Sequence, residues 1–289
     1  MSWCIAVDSS CNLRGYKPNS THTIFRLAPL KVHVGHHEFV DDESLDVSAL
    51  NRAVLDESSA SSSSCPSIGE WADIFRTADN IIAITISSNL SGSFESAQMA
   101  RNMVLDEYAR DHAGVIAGKN IHIVNSRAAG GKLEVLVRML DAYLMEDHAF
   151  DEVVSYVTKA EASSQVLYSL SRYENLTKSG RMPRGVGAVA SKLNIRILGT
   201  ASHEGTIKVV GPTRGEKKTI KKIVETMQAD GYHGGRVYID HVDNAGTASG
   251  ISDAIHDIWP MASVEVLPCG GLCSYYAEQS GIIVGYEWL

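Results

Sequence analysis

Two serine-rich segments hold the residue types with the most chemical potential: Ser63-Ser64-Cys65-Pro66-Ser67 and Ser87-Ser88-Asn89-Leu90-Ser91-Gly92-Ser93. The second sits between an apolar run, Asn80–Ile86, that reads as a buried strand, and a long helical stretch from Ser93 to about Arg110. Open α/β sheets bind ligands where a strand's carboxyl end meets the start of a helix. A helix N-terminus offers free backbone N–H groups and a partial positive charge, so it favours an anion. Serine hydroxyls add small donors that rotate to suit a carboxylate or phosphate oxygen. Gly92 lets a backbone approach closely. The same residues also fit a capped helix start with solvated serines, and both readings stand at this level.

Other groupings lack part of what their chemistry needs. Gly114–Asn120 has neither the spacing nor the final hydroxyl residue of a P-loop. Gly185-Val186-Gly187-Ala188-Val189-Ala190 matches G-x-G-x-x-A but follows Arg181–Arg184 rather than a strand, so it reads as a glycine-rich helix start. His33, His36 and His37 with Asp41 and Asp42 read as turn residues, because no cysteine or further histidine is near to complete a metal set. Cys269 and Cys273 have no second pair and read as small buried residues. His241 and Asp243 stand at a strand end with no G-x-S-x-G elbow beside them.

The elements that must position the serines follow an α/β pattern. Trp3–Val7 reads as a first strand ending at Asp8. Ile24–Val34 and His37–Phe39 about Gly35 suggest a hairpin, and Val47–Leu55 a helix. The run from Ser58 to Ser67 has the composition of a flexible linker. A helix over Ile68–Thr77, a strand over Ile121–Asn125 and a helical stripe of Leu133, Leu136, Val137, Leu140 and Leu144 complete a parallel α/β half. After about Ala160 the pattern is mixed. Strands fit Gln165–Tyr168, Ile195–Gly199, Ile207–Val210, Arg236–Asp240, Val264–Leu267 and Ile282–Tyr286. Helices fit Tyr173–Lys178, Val186–Leu193, Glu216–Met227 and Ala245–Ile258, and His203-Glu204-Gly205 reads as a hairpin turn. We expect two domains, residues 1–160 (parallel-sheet α/β) and residues 161–289 (mixed α+β).

Composition bounds the function. The 289 residues are 44% hydrophobic and 21% charged, near the average for globular proteins. With 26 basic and 34 acidic residues the net charge is −8, which argues against general nucleic-acid binding. No apolar run reaches the roughly 20 residues needed to span a bilayer. Met1–Ser10 lacks the basic start of a secretory signal. Five cysteines form no disulfide framework. A cytoplasmic protein is expected.

The order and spacing of several segments resemble the DegV family over nearly the whole chain. They are Asp8-Ser9-Ser10, Pro29-Leu30, Ser63–Ser67, Ile86–Ala97 (ISSNLSGSFESA), Val124-Asn125-Ser126, Leu176–Arg184 (LTKSGRMPR) and Leu193–Lys218. The resemblance implies a fatty-acid-binding protein of two α/β domains, the DegV-like (EDD) fold, with the acyl chain buried. It places the carboxylate at the two serine loops: Ser63, where threonine is usual, and Ser88, with Ser64, Ser87, Ser91 and Gly92 about them. Some members present the bound acid to a separate ATP-using kinase subunit, and the binding protein supplies no catalytic base and needs no cofactor. Arg214, with Lys217 and Lys218, falls on the surface the resemblance assigns to that partner. The sequence departs from the family where His-x-Gly-Pro-Gly is usual: by register Tyr276 stands at the histidine position. A tyrosine donates one hydrogen bond and carries no positive charge. The residues leave two rivals to a fatty-acid carrier: a serine-dependent acyl or phosphoryl transferase using Ser88 or Ser91 with His241, and a carrier or sensor of another small anion.

Overall fold

The computed structural model describes residues 2–56, 61–112, 114, 118–182 and 195–288. The expected helix Val186–Leu193 and the glycine run 185–190 lie outside them, as does part of the rejected P-loop stretch. The first sheet is formed by β1 (Trp3–Asp8), β2 (Thr23–Ala28), β6 (Asn80–Thr85) and β7 (Asn120–Asn125), in the order β2-β1-β6-β7. All its pairings are parallel. β1 and β6 are buried along their whole lengths, as their unbroken apolar runs require. Helices α2 (Ile68–Phe75) and α3 (Ser93–Asp111) cover one face, where Trp71, Phe75, Ala97 and Ala100 meet Cys4, Ala6, Ile81 and Ala83.

A three-stranded antiparallel sheet, β4-β3-β5, joins β3 (Lys31–Val34), β4 (His37–Val40) and β5 (Ser61–Ser64). Helix α1 (Val47–Asp56) runs between β4 and β5. Two expectations change here. The hairpin about Gly35 is only β3 and β4, because the chain from Thr23 to Ala28 leaves it to pair in parallel with β1. Pro29, which has no N–H to give a ladder, falls between the two strands. The serine run expected to be a linker is, from Ser61 to Ser64, an edge strand hydrogen-bonded to β3.

The second half contributes a six-stranded mixed sheet in the order β10-β9-β8-β13-β11-β12. Its strands are β8 (Ser164–Leu170), β9 (Arg196–Ala201), β10 (Ile207–Thr213), β11 (Arg236–His241), β12 (Ser263–Pro268) and β13 (Ile282–Glu287). Only β11 and β12 pair in parallel. β9 and β10 form the expected hairpin, with Gly205 in its turn at φ +81. Helices α7 (Glu216–Ala229) and α8 (Ala245–Ile258) pack on one face against Leu167, Leu198, Ile239 and Val284.

Helix α4 (Gly131–Tyr143) fills the space between the two large sheets, with α5 (Phe150–Ala162) beside it. The sequence pattern offered α4 one apolar stripe. The helix is in fact buried on nearly every side, Lys132, Glu134 and Asp141 included. Its first turn lies so close to β13 that a Cβ on Gly285 would overlap the Gly131 carbonyl group. One apolar core therefore runs from Ile5 and Val7 through Leu133 and Leu140 to Val166 and Ile283. Helix α5, the short α6 (Glu174–Lys178) and α9 (Gly271–Ala277) complete the fold; α5 and α9 had no counterpart in the sequence reading. No helix among the described residues is long and apolar enough to cross a membrane.

Candidate functional site

A cavity of about 810 Å³, its open mouth included, lies where the loop after β6 and strand β5 face α6, α9 and the sheet formed by β9, β8 and β13. Leu30, Ile86, Leu90, Leu170, Leu176, Met182, Ile197, Leu272 and Ile283 supply most of the wall. Tyr168 and Tyr173 also border it, but their hydroxyls are engaged with backbone: Tyr168 Oη accepts from Ala129 N at 3.2 Å, and Tyr173 Oη accepts from Ile197 N at 2.7 Å and donates to Leu170 O. Burial pushes the Tyr173 phenol up to about 12, so it stays protonated. Cys273, also on the wall, has its thiol pushed well up by burial.

Polar groups gather at one part of the wall: Ser63, Ser91, Arg181 and Tyr276. Strand alternation selects Ser63. On β5, Ser61 and Ser63 turn inward, where Ser61 Oγ meets Tyr275 Oη and Ser63 Oγ meets Tyr276 Oη, each at 2.8 Å. Ser62 and Ser64 turn outward, and Ser64 Oγ bonds His33 Nε2 at 3.0 Å. Tyr276 Oη also accepts from Arg181 Nη1 at 2.7 Å, while that guanidinium stacks over the tyrosine ring with its carbon 4.8 Å from the centroid. Arg181 Nε donates to Leu90 O at 2.7 Å, which ties this cluster to the second serine loop.

Proton counting shows what the cluster offers. Arg181 can only donate, so the tyrosine oxygen is the acceptor in that bond. Ser63 and Tyr276 then have two hydroxyl hydrogens between them and share one bond. In either arrangement one hydrogen has no acceptor among the described residues and is left for a ligand. Ser91 Oγ accepts from Ser93 N at 3.3 Å, and its hydrogen has no acceptor among the described residues. Two hydroxyl donors backed by an arginine cation suit a carboxylate at the end of an apolar space.

The other expected residues hold the loop rather than line the cavity. Ser87 Oγ donates to Gly205 O at 2.8 Å, and Asn89 Nδ2 donates to Glu204 O at 2.6 Å, so the β9–β10 turn is docked on the serine loop. Gly205 has the positive φ that this turn needs and no room for a side chain against Ser87 and Arg127. Ser88 Oγ accepts from Asn125 Nδ2 at 2.8 Å. Gly92 is the N-cap of α3, with no side-chain cap, beside Cys65 Sγ. Arg214 is exposed. His241 Nδ1 accepts from Asn244 N at 3.3 Å and bonds no serine among the described residues, so Ser88 and Ser91 do not have it as the base that the transferase reading needs. Among the described residues no group of three or more His, Cys, Asp or Glu is arranged to hold a metal.

Arg181 was in view within the Ser-Gly-Arg segment, but nothing there revealed its contact with Tyr276, 95 residues away. Asn125, in Val124-Asn125-Ser126, likewise gives no sign in the sequence of its bond to Ser88.

Comparison with known proteins agrees with the geometry. A family model described as "Uncharacterised protein, DegV family" matches residues 2–287. A DegV domain-containing protein of Streptococcus pyogenes serotype M1 is 37% identical over 287 residues, covering 99% of this chain and all of the relative. The crystal structure of the Streptococcus pneumoniae Fatty Acid Kinase (Fak) B3 protein loaded with linoleic acid is 35% identical, with a TM-score of 0.93 and 99% of each chain covered. A DegV family protein from Eubacterium eligens loaded with heptadecanoic acid is 30% identical, with a TM-score of 0.91 over the full length of both chains. The chain belongs to the DegV family.

Proposed function

We propose that this chain binds one long-chain fatty acid and presents it, still bound, to a separate fatty acid kinase, without catalysing a reaction itself. The observation that carries the reading is the apolar cavity with two unspent hydroxyl donors, from the Ser63–Tyr276 pair and from Ser91, at one part of its wall. The acyl chain supplies most of the affinity, at about 0.8 kcal/mol per buried methylene. The hydroxyls and the Arg181 cation fix which end of the ligand faces them. A small polar anion would leave this wall unused, so the cavity favours the acyl chain. Likeness to relatives crystallised with linoleic and heptadecanoic acids supports the ligand class, and likeness to a fatty acid kinase B3 protein supports the kinase partner. Arg214, exposed just before α7, belongs on this reading to the partner-facing surface.

The division at about residue 160 is part of the same proposal. The strands of the parallel sheet end at Asn125 and those of the mixed sheet begin at Ser164. The first part brings the serine loops and the second covers the acyl chain. The net charge of −8 fits no nucleic-acid partner, and the cytoplasm is the compartment where a kinase partner and ATP are available. Native mass spectrometry of the purified protein tests the reading directly. A bound mass of one fatty acid, exchangeable for added palmitate or oleate, is expected. Protein that carries no acyl ligand and takes up none refutes it.

A further inference from the structure

We propose that Asp8 is a positioning residue for the head-group site, acting through Ser93 and Ile86 to set the direction of the Ser91 hydroxyl. Asp8 ends β1, is fully buried and does not line the cavity. Its carboxylate gathers four donors. Oδ1 accepts from Ser10 Oγ at 2.6 Å and from Ser10 N at 3.2 Å. Oδ2 accepts from Ser93 Oγ at 2.6 Å and from Ile86 N at 2.8 Å. Ile86 is the first residue after β6 and Ser93 is the first residue of α3. One carboxylate oxygen thus fastens both ends of the loop that carries Ser87, Ser88 and Ser91. The Ser93 N–H that Ser91 Oγ accepts belongs to the residue whose hydroxyl Asp8 holds, so the chain of contacts runs Asp8, Ser93, Ser91, ligand.

The charge is placed deliberately in energetic terms. Asp8 forms no ion pair with any described residue, and burial raises its carboxyl above the usual range while the four donors pull it back. The N-terminal end of α3 lies beside it, where the helix dipole favours an anion. Gly92 caps α3 with no side chain, and Ser93 spends its hydroxyl on Asp8. Asp8 therefore fastens the two ends of the loop, while Ser87, Asn89 and Arg181 fasten its middle.

Asparagine is nearly isosteric with aspartate but cannot replace it here. Each oxygen accepts from a backbone N–H, Ser10 on one side and Ile86 on the other. Whichever way the amide turns, its NH₂ opposes one of them. The inference rests on the fatty-acid reading, and the test separates the two. Palmitate and 1-hexadecanol are titrated into wild type, Asp8→Asn and Ser93→Ala by displacement of a bound fluorescent fatty acid, with circular dichroism confirming the fold. Wild type should prefer the acid. Asp8→Asn should lower that acid-over-alcohol preference roughly tenfold, about the loss of one hydrogen bond to a charge, while hexadecanol affinity stays within about twofold. Ser93→Ala should lower the preference in the same direction, and it decides the matter if Asp8→Asn does not fold. Equal weakening of both ligands marks a merely structural role and overturns the inference, as does an unchanged preference in a folded variant. Wild type that binds neither ligand removes the fatty-acid reading and this inference with it.

Discussion

The proton count at Ser63 and Tyr276 makes a quantitative prediction that ordinary alanine scanning would miss. Their hydroxyls lie 2.8 Å apart, share one hydrogen bond and leave one hydrogen for the ligand carboxylate. In Tyr276→Phe, the Ser63 hydrogen is released from the pair and can still be donated. In Ser63→Ala, the tyrosine hydrogen takes its place. Each single substitution therefore keeps one donor: Ser63→Ala loses only some geometry, while Tyr276→Phe also loses the polarisation that Arg181 imposes at 2.7 Å and leaves Arg181 Nη1 without this acceptor. We expect about 1 kcal/mol or less from each, no more than about fivefold in Kd. The double substitution removes the donor outright; Arg181 Nη1 has already lost its acceptor in Tyr276→Phe, so that loss cancels in the comparison. A hydrogen bond to a charged group is worth about 1.5–3 kcal/mol, so Kd should rise by about 10- to 150-fold. The excess over the sum of the singles is the coupling energy of the pair. The assay is displacement of a fluorescent fatty acid by palmitate in all four proteins, with hexadecanol as the uncharged control. Two full-sized single effects that add would refute the shared-hydrogen scheme, as would a double variant no weaker than either single.

Three further outcomes follow from the geometry. Ser64→Ala should leave palmitate affinity within about 0.5 kcal/mol of wild type, because this hydroxyl faces outward to His33; a larger loss in the same displacement assay would mean the β5 register differs in solution. Gly285→Ala should destabilise the protein by about 3 kcal/mol or more, or prevent folding, because the added methyl overlaps the backbone of α4; a normal urea midpoint would contradict the close approach. Glu134 and Asp240 are fully buried carboxyls that interact with each other, and burial pushes Glu134 up to about 7 and Asp240 upward too. The folded chain then keeps protons that the unfolded chain releases above about 4.5, so stability should fall as pH rises from there toward neutrality. Glu134→Gln should flatten that part of the slope in urea titrations at pH 5 and 8, and an unchanged slope would remove the carboxyl from the account.

The parallel sheet was legible because its strands are buried on both faces and advertise it: Trp3–Val7 and Asn80–Ile86 have no other plausible use. Ser63 and Ser91 stood out by residue type within the serine segments, Ser91 only as a neighbour of Ser88, and both border the cavity. Other features were hidden for physical reasons. In β5 the inward and outward residues are all serine, so a period of two leaves no trace and composition alone suggests a linker. The separation of β2 from β3 depends on a pairing with β1 that local pattern does not encode. Ser87 and Ser88 look equivalent to Ser91, yet Ser87 spends its hydrogen on Gly205, and Ser88 accepts from Asn125 away from the cavity wall that Ser91 lines. The role of Arg181 exists only after α9 and the second serine loop meet.

The uniformity of β5 has one more consequence. A strand that slides by a single residue ordinarily exchanges its two faces and ruins whatever it presents. Here such a slip opposite Val32 would bring Ser62 or Ser64 to the place of Ser63, and a hydroxyl would still look into the cavity. The short edge strand, with few bonds to fix its alignment, is thus error-tolerant in the group it delivers. Four identical residues give a weakly anchored element chemical redundancy where a mixed sequence would demand accuracy.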